Sequence, residues 1–187
     1  MTWTLEQARQ RAQQMLAASA DPIEVAIIHS ATQEFDAGWV FFHQSSRFLE
    51  TKNPEDCLVG NAPLFVSREN GQTAFISYLR PYAESMDAYR ACGNPNAYEQ
   101  PQIRLTGWQP GAVAVEAIRL IRQHSSLGLA DAKHVIDDCL ASNDARVNTK
   151  DVAAARQLVI ELAKAGFLAT ITYDDFGVAF PVTTDGP

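Results

Sequence analysis

The chain has 187 residues, enough for one domain or two small ones. Hydrophobic residues make up 47% and charged residues 20%, an ordinary globular composition, and no run of about 18 apolar residues exists to span a membrane. The net charge is −7, with seven Lys and Arg against twelve Asp and Glu in residues 1–100 and eight against ten in residues 101–187, so no basic stripe for nucleic acid is present.

In chain order, Thr4 and Gln7 stand at capping-box spacing before a helix expected over residues 5–19, with Leu5, Ala8, Ala12, Met15 and Leu16 on one face. Asp21-Pro22 should stop it. Residues 23–30 are rich in β-branched side chains and read as a strand. Phe35-Asp36-Ala37-Gly38 reads as a turn, and residues 39–43 as a compact aromatic strand. Residues 45–58 look polar and irregular. Residues 64–66 and 72–78 are expected to pair across an Asn70-Gly71 turn. A short helix is expected over 85–92, capped by Ser85 and stopped by Gly93. Two prolines punctuate residues 93–101, which read as a linker.

Beyond it the pattern changes. Residues 103–106 alternate as a strand does. Helices are expected over 113–124, with Val113, Ala117, Leu120 and Ile121 inward, over 130–140, with Ala132, Val135, Ile136 and Leu140 inward, and over 150–165. A short strand is expected near 145–147 and a last strand over 167–172, after a stop at Gly166. The expected fold is α+β. An N-terminal helix, a four-stranded antiparallel sheet and a short helix occupy residues 1–94. A small α/β sandwich of three helices on a short sheet occupies 102–175, and 176–187 form a tail.

Chemistry is hard to assemble from these residues. Cys57, Cys92 and Cys139 form no CxxC pair and no disulfide framework, which suits a reducing cytoplasm, and residues 1–6 show no secretory signal. His29, His43, His124 and His134 make no metal-binding spacing, so no metal or other cofactor is expected. Cys57 or Cys92 with His43 is the nearest approach to a thiol nucleophile and base, and nothing marks either thiol as activated. A nucleophile, a base and an orienting group cannot be named together, so the chain is expected to be no enzyme.

Four segments in order carry a resemblance: Gly38-Trp39-Val40-Phe41-Phe42, Phe48-Leu49-Glu50-Thr51, the run from Gly60-Asn61-Ala62-Pro63 into Leu64-Phe65-Val66, and Glu69-Asn70-Gly71. Across roughly residues 5–92 the chain resembles the immunity protein 35 (YrhB-like) family of bacteria. The resemblance implies an α+β fold and neutralisation of a cognate polymorphic toxin by direct binding. Within the motif, Trp39 is expected to pack beneath the sheet, Gly60 and Pro63 to set a turn, and Asn61 to bond local backbone. Glu50, Glu55, Asp56, Glu84 and Asp87 would face a basic toxin cleft, and Tyr82, with Tyr78 and Tyr89, is either an aromatic anchor of that surface or an edge of the core.

Residues 103–172 resemble the C-terminal domain of the bacterial ribosomal stalk protein, most tellingly in Leu127-Gly128-Leu129-Ala130-Asp131-Ala132-Lys133. That resemblance implies a docking patch of Arg119, Arg122 and Lys133. The expected function is therefore a cytoplasmic immunity protein that covers a toxin's active site. The alternatives are a chaperone-like protein of the same fold, or an adaptor that holds a translation factor through the stalk-like domain. No nucleic-acid or membrane partner is expected.

Overall fold

In the computed structural model the described residues are 2–18 and 23–174. They form two compact units, one reaching to Ala97 and the other starting at Tyr98.

The first unit opens with α1 (Leu5–Ala17). The Thr4 hydroxyl accepts from the Gln7 amide at 3.3 Å, and the Gln7 side-chain oxygen accepts from the Thr4 amide at 2.9 Å, as the capping box requires. The expected stop at Asp21-Pro22 lies outside the described residues. Six strands follow: β1 (Val25–Ile27), β2 (Gln33–Glu34), β3 (Gly38–Phe41), β4 (His43–Ser45), β5 (Leu64–Ser67) and β6 (Thr73–Phe75). They form an antiparallel sheet in the order β2-β3-β5-β6 and a separate pair β1-β4. Helices α2 (Ser46–Thr51) and α3 (Tyr82–Cys92) complete the unit.

The central strands β3 and β5 are apolar but for Ser67 because both faces are covered. Trp39, Phe41, Leu64 and Val66 pack with Ala8, Ala12 and Leu16 of α1. Val40 and Phe65 point the other way and pack with Ile76 and Met86. Successive strand side chains point to opposite faces, so a strand buried on both sides reads as a continuous hydrophobic run.

Several sequence expectations are corrected here. The aromatic run 39–43 is not one strand: β3 ends at Phe41, and His43 starts β4, which pairs with β1 instead. The expected strand 23–30 shrinks to β1 and a 3₁₀ turn at His29–Ala31, and the fourth strand of the main sheet is β2. Residues 45–58, expected to be irregular, hold α2 and a 3₁₀ turn at Pro54–Asp56. Ser45 caps α2 by accepting from the Phe48 amide at 3.0 Å. A six-residue helix is too short to show a hydrophobic period. Helix α3 begins at Tyr82 rather than Ser85. Ser85 is buried inside it and accepts from Arg80 Nε at 3.2 Å, while Gly93 ends the helix in the left-handed conformation as expected.

Part of the expected linker belongs to the first unit. Asn96 accepts from the Ser77 amide at 3.1 Å and donates to the Phe75 carbonyl at 2.8 Å, and Arg80 donates to the carbonyl of Ala97 at 2.7 Å and to that of Pro95.

The second unit runs β7 (Glu99–Trp108), α4 (Ala114–His124), α5 (Leu129–Leu140), β8 (Ala145–Asn148), α6 (Val152–Lys164) and β9 (Phe167–Tyr173). Its sheet has the antiparallel order β8-β7-β9. The three helices and the inward face of this sheet enclose one core, built on Ile103, Leu105, Ile121, Ile136, Leu158 and Phe167. Val113 and Leu140, expected inward, are exposed. Val113 precedes the first turn of α4, and Cys139 takes the inward position at the end of α5. The expected tail, 176–187, lies outside the described residues.

Gly38 shows how tightly the main sheet is built. It has φ +156°, and a Cβ there would stand 2.1 Å from the Val66 carbonyl oxygen, an immovable ladder atom. Gly38→Ala should therefore cost about 2–4 kcal/mol of stability. At Gly93 (φ +78°) nothing lies within 4 Å, so Gly93→Ala should lose only about 1 kcal/mol, from the left-handed backbone alone. Urea unfolding of the two variants measures the difference.

Candidate functional site

The acidic residues singled out in the sequence fall on two separate segments. Glu50 closes α2, Glu55 and Asp56 form the 3₁₀ turn after it, and Glu84 and Asp87 lie on α3. They are not equivalent. Asp56 is tied down: it pairs with Arg47 at 3.1 Å, accepts from the Thr51 hydroxyl at 3.3 Å, and its carbonyl accepts from Ser45. Asp87 is neutralised by Arg90. The same guanidinium donates to both oxygens of Asp36, joining α3 to the β2–β3 turn and holding the Asp36 carboxyl below its usual range. Glu50, Glu55 and Glu84 are exposed and form no ion pair among the described residues.

The tyrosines separate in the same way. Tyr82 meets Phe42 edge-on with ring centroids 5.7 Å apart, and Tyr89 meets Phe65 at 4.8 Å. Both are partly buried against the core, at its edge. Tyr78 is the exposed one.

The motif residues build the loop that leads into β5. Trp39 is buried on the α1 side of the sheet, with the Arg68 guanidinium 4.1 Å from its ring centroid. The Pro63 carbonyl accepts from the Ile76 amide at 2.9 Å, just past the last β5–β6 pair, Leu64 with Phe75. Asn61 does not bond local backbone as expected. Its Nδ2 donates 2.7 Å to the carbonyl of His43, eighteen residues earlier. Gln44 of β4 grips the same loop twice, accepting from the Leu58 amide at 2.6 Å and donating to the Leu58 carbonyl at 3.0 Å. Strand β4 thus works as a clamp on residues 58–61.

This clamp puts two loops side by side. Residues 59–63 and 76–79 leave the same end of the β5–β6 ladder, and a Cβ on Gly60 would stand 4.0 Å from the Tyr78 hydroxyl. The apolar side chains there face solvent: Val59 is 92% exposed, Leu79 82% and Tyr78 56%. Glu55 lies four residues before Val59, and Glu84 lies five after Leu79. Sequence reasoning missed Val59 and Leu79, because a single apolar residue in a loop carries no period to mark it as buried or exposed.

In the second unit, Arg119 is occupied on its own helix. It donates to Glu116 at 2.6 and 2.9 Å and to Gln123 at 3.0 Å. Arg122 and Lys133 are exposed on α4 and α5. His124 on α4 meets Glu161 on α6 at 2.9 Å.

Nothing assembles around the thiols. Cys57 is half-buried, with its sulfur 3.3 Å from the Gln44 amide nitrogen. Cys92 is exposed, and burial raises the thiol pKa of Cys139. Among the described residues, no group of three or more His, Cys, Asp or Glu could hold a metal ion, and no helix is long and apolar enough to cross a membrane.

Residues 6–91 match the family described as Immunity protein 35, and all of them lie in the first unit. The chain is also similar to the "Uncharacterized protein YrhB" of Escherichia coli (strain K12), with 26% identity over 69 residues, which is 37% of this chain and 73% of the relative. No solved structure matches the chain at a significant level. The family match ends at residue 91, and the resemblance of residues 103–172 to the stalk-protein domain finds no support in these comparisons.

The clamp is open to two tests. Asn61→Ala removes the bond to His43 and should cost about 1–2 kcal/mol by urea unfolding. His43 itself is buried, which lowers its pKa from about 6.5. The unfolded chain then binds a proton that the folded chain refuses. Stability from this group is present above about pH 6.5 and declines as the pH falls from there toward the lower folded value. Stability measured against pH should therefore fall less on acidification in His43→Phe than in the unaltered protein.

Proposed function

We propose that this chain is an immunity protein: it binds a cognate protein toxin in the cytoplasm of the cell that makes both, and covers the toxin's active site. The match of residues 6–91 to the Immunity protein 35 family carries this reading. The chemistry of the first unit agrees with it. Its functional groups are a surface rather than a cleft: a clamped loop pair with apolar side chains outward, and exposed carboxylates close by in sequence. Such a surface acts by occupancy, one molecule for each toxin, and makes or breaks no bond.

A second reading concerns the second unit. Helices α4 and α5 pack together and expose Val115 (80%) and Leu129 (61%) on the elements that also carry Arg122 and Lys133. That combination supports a docking face for an acidic partner, the adaptor role that the stalk-like pattern implies.

Growth decides the first reading. Co-expression with the toxin encoded beside its gene should restore growth of a sensitive cell and yield a complex that survives gel filtration. No complex and no rescue would remove the immunity role.

A further inference from the structure

We infer that the toxin-facing surface of this chain is the loop pair 58–61 and 76–79, with Val59, Tyr78 and Leu79 inserted into an apolar recess on a basic face of the toxin. The inference rests on the immunity reading and names where that reading acts.

Three observations carry it. The first is position: the three side chains belong to neighbouring loops at one end of a sheet whose interior is closed on both faces, so they have no place in either core. Binding residues sit on loops held by rigid elements, and a cluster of exposed apolar side chains marks a contact surface where a single one would not.

The second is order. Gln44 holds both backbone groups of Leu58, Asn61 holds the His43 carbonyl, and Ile76 bonds Pro63. The exposed side chains therefore stand on backbone that is already fixed. Tyrosine is among the residue types enriched at interface centres, where a few well-buried groups supply most of the binding energy, and Val59 and Leu79 beside Tyr78 add apolar area that excludes water.

The third is charge. The first unit has seven Lys and Arg against eleven Asp and Glu up to residue 97. Arg47, Arg68 and Arg90 are each held by a carboxylate, and Lys52 folds back onto the Leu49 carbonyl at 2.7 Å. Of the acids close to the loops in sequence, Glu55 and Glu84 form no ion pair among the described residues, while the cation next to Leu79, Arg80, is turned onto the carbonyls of Pro95 and Ala97. An apolar centre with an acidic rim is complementary to a basic surface with a recess, such as a cleft that handles polyanions. A standard interface takes about 800 Å² from each partner, more than three side chains offer, so the acidic rim lies within the footprint.

The test uses the full chain and the toxin encoded beside its gene, with Leu79→Asp, the double change Val59→Asp/Tyr78→Ala, and Ile160→Asp on α6 as a control. All four side chains are largely exposed, so the variants should keep the melting temperature of the parent. Both loop variants should weaken the complex at least tenfold and lose growth rescue, with the control unchanged. Glu55→Lys should slow association at low salt more than at high salt. Hydrogen exchange on the unaltered complex should show new protection at residues 58–61 and 76–79, which needs no variant at all. If the parent binds and rescues while both loop variants do so equally well and exchange at these loops is unchanged, the surface is wrong and the immunity role stands. If the parent itself neither binds nor rescues, the immunity role fails and takes this surface with it.

Discussion

A strand pair with helices on both sides has no solvated face, and that constraint organises the first unit. Every residue of β3 and β5 is buried, so each side chain in Gly38–Phe41 and Leu64–Ser67 is committed to one of two packed layers. Burial on this scale also leaves the backbone no water to bond with, so the ladder must be complete. The close approach of Gly38 to Val66 is one result. Polar loops cannot cross such a core and gather at its ends. The outer strands of this sheet, β2 and β6, are only two and three residues long, which limits the unpaired edge available for unwanted pairing.

Much of this was legible in the sequence. Capping chemistry marked the start of α1, since Thr4 and Gln7 can satisfy each other's backbone without any distant partner. The Asn70-Gly71 turn and the left-handed Gly93 were visible for the same reason. In the second unit, the helical period located α4, α5 and α6 to within a few residues. What escaped the sequence depends on contacts distant along the chain. The aromatic run 39–43 gives no hint that it divides at Phe42, because its two parts pair with strands on opposite sides in sequence, β5 and β1. Asn61 looks like any turn asparagine until His43 is placed beside it. Tyr78, Tyr82 and Tyr89 are chemically identical, and only packing against Phe42 and Phe65 tells core edge from surface.

The candidate site followed the same rule. Five acids were visible as charge, yet ion pairing divides them: Arg47 and Arg90 neutralise Asp56 and Asp87 and leave three glutamates facing solvent. The apolar centre was invisible because Val59 and Leu79 follow no periodic pattern. The two units also differ in how they present surface. The first concentrates its exposed apolar groups on loops, whereas the second carries Val115 and Leu129 on helices. A helical face presents residues at fixed intervals along one ridge, while a clamped loop pair offers a compact knob, so the two suit partners of different shape.

The double grip of Gln44 on Leu58 has a kinetic meaning. A side-chain amide that accepts from one backbone N–H and donates to the carbonyl of the same residue imitates a neighbouring strand. The chain at that point is held as sheet is held, although no sheet extends there. A partner that meets it has little floppiness to suppress, so the entropic penalty of complex formation is largely met during folding. Preorganisation of this kind lengthens residence time, and under the immunity role proposed above that is the quantity that matters, because a single escaped toxin molecule can act repeatedly before it is recaptured.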